Sequence, residues 1–159
     1  MLNKTPLVSV LMLNYNGLKY LKRTIPPILK LDYPNYEFII VDNGSTDGSI
    51  EFIKEFKKIR LIQSPRIGEK NFACNYAIKR AKGEYILLLD NDCLLQNRNL
   101  LKDLIIGARR LDNFGCYSLA YINDKEKLSE GYGVFSSLFF AISNKKLNKK
   151  DIKSMHNIN

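Results

Sequence analysis

Segments rich in β-forming apolar residues alternate strictly with amphipathic segments of helical spacing up to about residue 111. The predicted strands are residues 7–13, 36–41, 60–63 and 84–89. Apolar residues at helical spacing follow each strand, over residues 18–29, 50–56, 72–81 and 100–111. Such alternation requires right-handed crossovers and a mainly parallel sheet covered on both faces. The chain is therefore predicted to be an α/β protein with three layers, α/β/α.

Polar residues follow three of the predicted strands. Residues 14–17 read Asn-Tyr-Asn-Gly, residues 42–47 read Asp-Asn-Gly-Ser-Thr-Asp, and Asp90 and Asp92 follow the fourth strand. Ligands of parallel sheets bind beyond the carboxyl ends of strands, so the three clusters are predicted to share one edge. Asp90 and Asp92 are suited to a hard divalent cation, although such a pair also simply ends a strand and begins a turn.

Each polar cluster also has a structural interpretation. Asp42 with Asn43 and Gly44 is typical of a turn closed by a side-chain hydrogen bond. Ser45, Thr46 and Asp47 are interpreted as capping residues of the next helix rather than as ligand contacts. Pro26 and Pro27 predict a kink or a restart of the first helix.

Composition and charge narrow the possible binding partners and the cellular compartment, but they do not identify a function. The net charge is +9, from 25 basic and 16 acidic residues, which favours anionic partners. Three cysteines without a Cys-x-x-Cys pair argue against a disulfide framework or a zinc site and fit a reducing cytosol. The longest apolar run near the start, residues 7–13, is too short to span a bilayer, so a cytoplasmic location is predicted.

The pattern weakens after residue 115. Residues 116–122 and 132–142 are predicted as two more strands, and five lysines fall between residues 145 and 153. The predicted domains are therefore residues 1–115 and a shorter segment, residues 116–159, with a basic tail. That tail leaves peripheral contact with an acidic inner membrane surface open.

Three motifs in order resemble one family. Residues 8–17 read Val-Ser-Val-Leu-Met-Leu-Asn-Tyr-Asn-Gly, and residues 39–49 read Ile-Ile-Val-Asp-Asn-Gly-Ser-Thr-Asp-Gly-Ser. Residues 81–92 read Ala-Lys-Gly-Glu-Tyr-Ile-Leu-Leu-Leu-Asp-Asn-Asp. Together they resemble the nucleotide-sugar-binding half of family 2 glycosyltransferases. The resemblance implies the GT-A fold, the Rossmann-like architecture of nucleotide-diphospho-sugar transferases.

The resemblance implies a role for each matching position. The loop of Asn14, Tyr15 and Asn16 would border the nucleobase and ribose. Asp42 would accept a hydrogen bond from a uracil-type ring N–H, beside Asn43 in the same nucleotide-binding loop. Asp90 would hold the ribose or a metal-bound water, and Asp92 would coordinate Mg²⁺ or Mn²⁺ at the diphosphate. Lys70 or Arg66 would add positive charge beside the phosphates.

The second half departs from the family pattern. Inverting members use a carboxylate base from a later acidic motif, and only Glu126 and Glu130 qualify here, by chemistry alone. The leading hypothesis is metal-assisted, inverting sugar transfer from a UDP-type donor. The acceptor, whether a glycan, a lipid-linked sugar or a protein, stays open, as does self-association through an exposed sheet edge.

Three alternatives remain. The first is a nucleotide-sugar-binding protein without catalysis, which would have kept the donor pocket and lost the base. The second is a nucleotidyltransferase-like enzyme, which normally needs a Gly-rich basic loop that residues 14–17 lack. The third, nucleic-acid binding, rests on net charge alone, and no nucleic-acid partner is predicted.

Overall fold

The computed structural model describes residues 5–110, 116–118 and 138–142. Within them, helices cover a single mixed sheet. Its strands are β1 Val8–Asn14, β2 Tyr36–Asp42, β3 Ile59–Gln63, β4 Tyr85–Asp90, β5 Cys116–Ser118 and β6 Leu138–Ile142. Its helices are α1 Leu18–Leu29, α2 Ser49–Lys54, α3 Lys70–Ile78 and α4 Leu100–Arg110.

The strand order is β3-β2-β1-β4-β6-β5, with β1 in the middle of the parallel part. Strands β3, β2, β1 and β4 pair in parallel, whereas β6 pairs antiparallel with both β4 and β5. This arrangement confirms the predicted α/β fold with a mainly parallel sheet.

Every residue of β1 is buried, because both faces of the sheet are covered. Val8, Val10 and Met12 belong to a core cluster with α1, α2 and α4. Leu11 and Leu13 belong to a second cluster on the other face, with α3. The alternating sides of one strand thus face two helical layers, which makes the three layers predicted from the sequence.

Helix α1 runs without interruption through Pro26 and Pro27, so the helix does not restart there. Each proline removes the N–H that would have bonded the carbonyl four residues earlier, on Lys22 and Arg23. Both of those residues are exposed, so water can satisfy their carbonyls. On its opposite side the helix is held to the sheet by buried Ile25 and Ile28.

Strands β5 and β6 extend the same sheet beyond β4. They are shorter than the predicted strands 116–122 and 132–142, whose remaining residues lie outside the described part of the chain. Glu126, Glu130 and the lysine cluster of residues 145–153 also lie outside it, and the division at residue 115 stays a prediction. Of the helices that the structure describes, none has both the length and the apolar character needed to cross a membrane.

Candidate functional site

The ends of β1, β2 and β4 are joined by a chain of side-chain hydrogen bonds. Asn14 lies opposite Asp42 in the β1–β2 register, and Leu13 lies opposite Asp90 in the β1–β4 register. Asn14 Nδ2 donates to Asp42 Oδ2 at 2.9 Å, and Asn14 Oδ1 accepts from Asn91 Nδ2 at 2.9 Å. The three polar clusters predicted to meet at one edge therefore do meet there.

Asp42 is buried, at 1 % exposure, and both oxygens of its carboxylate accept hydrogen bonds from within the protein. Besides the bond from Asn14, its Oδ1 accepts from the backbone N–H groups of Gly44 at 3.0 Å and Ser45 at 2.8 Å. Gly44 has a φ of 96°, a conformation that glycine adopts without strain. The contact between Asp42 and a nucleobase stays a prediction, and the geometry favours the turn interpretation for this residue.

Asn43, the next residue, is almost as buried, at 4 % exposure, but its side chain is not satisfied. Its backbone N–H donates to the carbonyl of Asn14 at 2.8 Å. Its Oδ1 has no hydrogen-bond partner among the residues that the structure describes. A buried acceptor left unpaired costs about 1–3 kcal/mol, so a ligand N–H or O–H would be favoured here.

The loop after β1 separates into a supporting part and an exposed part. Asn16 adopts a φ of 47°, its N–H donates to Ser45 Oγ at 2.8 Å, and its Oδ1 accepts from the N–H of Thr46 at 2.8 Å. Tyr15 between the two asparagines is 55 % exposed. Asn14 and Asn16 hold the two loops together, and Tyr15 presents its ring at the edge.

Asp90 and Asp92 form the open part of the edge. The Asp90 side chain is 29 % exposed and pairs with Lys70, whose Nζ lies 3.2 Å from Asp90 Oδ1. Asp92 is exposed. Lys70 is the first residue of α3, so its position there agrees with the charge predicted beside the phosphates, whereas Arg66 pairs with Glu69 instead.

The donor set fits a divalent cation that is shared with a ligand. In the described part of the chain, no three acidic, histidine or cysteine side chains gather into a complete cage. Mg²⁺ is usually bound through one or two carboxylates plus substrate phosphates, and Asp90 and Asp92 supply such a pair.

Two contacts at this edge were not predicted from the sequence. A Cβ on Gly17 would overlap the side-chain amide of Asn91 and Oδ1 of Asn14, so glycine is needed for them to meet. Ser45 Oγ receives hydrogen bonds from both Asn14 Nδ2 and the Asn16 N–H. Both residues lie inside the sequence motifs named above, but nothing in their spacing shows which residues they contact.

The capping prediction is wrong for Ser45 and Thr46, and the N-cap of α2 is Gly48 rather than Asp47, although Asp47 accepts a hydrogen bond from the first residue of the helix. Helix α2 begins at Ser49, after Gly48, and Ser45 faces the first loop instead. Asp47 Oδ1 accepts from the Ser49 N–H at 3.0 Å, and its Oδ2 accepts from the Leu18 N–H of α1 at 2.8 Å. One carboxylate therefore serves the first residues of two helices.

Comparison with known proteins gives a consistent family match. The family model described as glycosyl transferase family 2 matches residues 9–156. A relative named poly(ribitol-phosphate) beta-N-acetylglucosaminyltransferase TarP, from Staphylococcus aureus, is 31 % identical over 161 residues, covering 91 % of this chain and 49 % of that protein. The chain spans less than half the length of the first curated relatives that it matches.

Two solved structures share the fold. The mannosyltransferase PcManGT from Pyrobaculum calidifontis, in complex with GDP-Man and Mn²⁺, has a TM-score of 0.67 at 24 % identity, over 77 % of this chain and 38 % of that one. S. aureus TarS in complex with UDP-GlcNAc has a TM-score of 0.60 at 28 % identity, over 65 % of this chain and 31 % of that one.

Proposed function

Because the chain belongs to glycosyltransferase family 2, we propose that it binds a nucleoside diphosphate sugar, of the UDP type, and transfers the sugar to an acceptor with inversion. The observation that carries this proposal is the pairing of two unlike groups at one sheet edge. A buried, unpaired acceptor lies on the β2 side, and an open pair of carboxylates lies on the β4 side.

The β2 side suits the nucleobase. Uracil carries a ring N–H that an amide oxygen can accept, and Asn43 Oδ1 is the buried acceptor without a partner among the described residues. The exposed ring of Tyr15 offers an apolar face beside it, in the loop bonded to Ser45. A site that leaves a buried acceptor unpaired discriminates strongly against a base that cannot donate to it.

The β4 side suits the diphosphate. Asp90 and Asp92 would hold Mg²⁺ or Mn²⁺ together with the phosphate oxygens. When bound, such a cation would stabilise the negative charge that the leaving nucleoside diphosphate acquires. The Lys70 ammonium, 3.2 Å from Asp90, supplies a positive charge from the chain itself at the same place.

The proposal for the acceptor is argued from the chemistry of the reaction, because the candidate residues lie outside the described part of the chain. Inversion needs a carboxylate that takes the proton from the acceptor hydroxyl, and Glu126 and Glu130 lie outside the described part of the chain. The name of the TarP relative points to poly(ribitol-phosphate) as its acceptor. A phosphate-containing polyol polymer is therefore the acceptor class to test first.

Calorimetric titration with UDP-, GDP- and dTDP-sugars, with and without Mn²⁺, tests the donor half. We expect binding of a uracil nucleotide that weakens when the metal is withheld. Asp92→Asn should abolish the metal dependence, whereas Glu51→Gln, an equal change of charge on the exposed face of α2, should not. Absence of binding to all three donors in the presence of Mn²⁺ would count against the proposal.

A product assay separates the enzyme from a binding protein. Donor turnover in the presence of a panel of acceptors supports transfer. Tight metal-dependent binding without transfer or hydrolysis would instead favour the donor-binding protein without a general base.

A further inference from the structure

Away from the strand ends, a concave surface lies between α1 and the segment that leads from Asp92 toward α4. It has a volume of about 370 Å³ and is lined by both prolines of α1 and by Leu95. Two hydrogen bonds fix its wall: Arg98 Nε donates to the carbonyl of Lys30 at 3.0 Å, and the N–H of Asp32 donates to the carbonyl of Arg98 at 2.8 Å. The cleft is therefore part of the fold and is not a gap beside a loose loop.

The charged residues in the lining of this cleft are all cations. Arg23, Lys30 and Arg98 line it beside two prolines and Leu95, and no acid of the described part of the chain does. Neither Arg23 nor Lys30 forms an ion pair with any residue that the structure describes. Asp32 lies near enough to Arg98 for their charges to interact, but it pairs with Lys102 at 2.8 Å.

Acids outside the lining do not cancel this charge. Asp103 accepts a hydrogen bond from Asn97 of the lining. Counting Lys102 with the three lining residues gives four cations against Asp32 and Asp103, and including Asp92, three residues before the cleft, leaves a net charge of +1.

We propose that this cleft is a binding site for a phosphate ester, whose phosphate is held by Arg23, Lys30 and Arg98. Arginine presents N–H groups that match phosphate oxygens, and Nε of Arg98 already fixes the direction of its guanidinium. The volume suits one phosphorylated sugar or polyol unit. The cleft begins three residues after Asp92, and Thr24 Oγ1 of α1 donates to the carbonyl of Asn91 at 3.0 Å.

The shape favours a soluble phosphate ester over a lipid surface. The cations line one concavity, whereas a bilayer presents a plane of headgroups. Surface helices that bind bilayers also insert large apolar side chains, and the exposed residues of the lining are polar or charged. The proposal stands whether or not the chain transfers sugars.

The test is a titration of the full 159-residue chain with sn-glycerol 3-phosphate, followed by amide NMR at constant ionic strength. We expect saturable shifts at residues 23–30 and 95–98. The double variant Arg23→Gln with Lys30→Gln should weaken binding about tenfold or more, because each lost charge-assisted hydrogen bond is strong. Lys54→Gln with Lys57→Gln removes the same charge at the end of α2 and should leave the affinity unchanged.

Three outcomes would overturn the proposal. Equal weakening in both double variants would show general attraction to net charge. Loss of the shifts in Asp92→Asn would place the phosphate at the strand ends instead. Binding to phosphatidylglycerol vesicles without any shift from glycerol 3-phosphate would assign the cleft to a membrane surface. If the double variant unfolds, Arg23→Gln alone repeats the test, since the exposed Arg23 side chain forms no hydrogen bond or ion pair with the other described residues.

Discussion

The loop after β2 and the end of β4 lie at the same sheet edge but are built in opposite ways. In the loop, the Asp42 carboxylate is buried and accepts three hydrogen bonds from within the protein. At the end of β4, Asp92 is exposed, and among the described residues the Asp90 side chain pairs only with Lys70, in a partly exposed ion pair. Carboxylates that look alike in the sequence therefore have different surroundings.

The difference separates support from binding. A carboxylate whose oxygens are already bonded inside the protein fixes the backbone around it and has little left for a ligand. A carboxylate in contact with water keeps its lone pairs for a cation. Asn43 completes the contrast, because it is buried like Asp42 and yet has an oxygen left over. The proposed binding residues at this edge are thus those with unsatisfied or exposed oxygens, Asn43 and Asp92.

Asp42→Ala should have the largest effect on the fold. It removes the acceptor of the part-buried N–H groups of Gly44 and Ser45 and one of the two acceptors of the Asn14 amide, which keeps its bond to Ser45 Oγ. A buried unpaired donor costs about 1–3 kcal/mol and a part-buried one less, so the free energy of unfolding should fall by about 2–4 kcal/mol. Urea unfolding measures this. A fall of less than about 1 kcal/mol would show that the network does not support the loop.

Asp92→Asn should do the reverse, with a large effect on binding and almost none on stability. The exposed carboxylate has no structural bond in the described residues, so urea unfolding should change by no more than about 0.5 kcal/mol. Affinity for the UDP-sugar with Mn²⁺ should fall about 10- to 100-fold, the range of a lost charge-assisted contact. Unaltered metal-dependent affinity would remove Asp92 from the metal site.

Asn43→Leu tests the unsatisfied oxygen. Replacing an unpaired acceptor with an apolar group of similar size should leave stability nearly unchanged, and UDP affinity should fall about tenfold. Asn43→Gln is the closer control, because it keeps an uncharged amide oxygen at the same position and should retain more of the affinity than Asn43→Leu. If Asn43→Leu destabilises the fold strongly and binds UDP normally, Oδ1 has a structural role instead.

Lys70→Gln should have a smaller effect that changes sign with the ligand. In the donor-free protein the Lys70 ammonium opposes a second cation beside Asp90, so its removal should raise Mn²⁺ affinity a few-fold. With the nucleotide present, the same change removes a charge beside the phosphates and should weaken binding a few-fold. Lys79→Gln, at the other end of α3, is the charge-matched control. Changes of the same sign in both titrations would contradict the idea that Lys70 pairs with Asp90 in the free protein and with the phosphates when the nucleotide is bound.

The sequence predicted the elements of this edge better than their contacts. The apolar strands and the helical spacing were sufficient to predict the three layers. Burial on both faces of the sheet requires each strand to be apolar and each covering helix to be amphipathic, and both patterns are local. The motifs also brought Asn14, Asp42 and Asp90 to one edge. The sequence does not show which side chains find hydrogen-bond partners inside the protein. Asn14 bonds Asp42 and Asn91, which lie 28 and 77 residues away in the chain, and no local pattern encodes such contacts.

Asp47→Asn should have the smallest effect, and only above acidic pH. Partial burial alone would raise the pKa of Asp47, but hydrogen bonds from Ser49 and from the backbone N–H groups of Leu18 and Ser49 outweigh it and hold the pKa below its ordinary value.

A lowered pKa in the folded state stabilises the fold above the unfolded carboxyl pKa, near 3.9, and this contribution disappears as pH falls through the folded pKa. Asp47→Asn should therefore be less stable than the parent chain at pH 7 and converge with it as pH falls through the lowered folded-state pKa of Asp47. Glu55→Gln, an exposed acid at the end of α2, should show no such convergence in the same urea series. A constant difference at every pH would mean that Asp47 supports the two helix starts through its shape and hydrogen bonds alone, as the neutral amide also can.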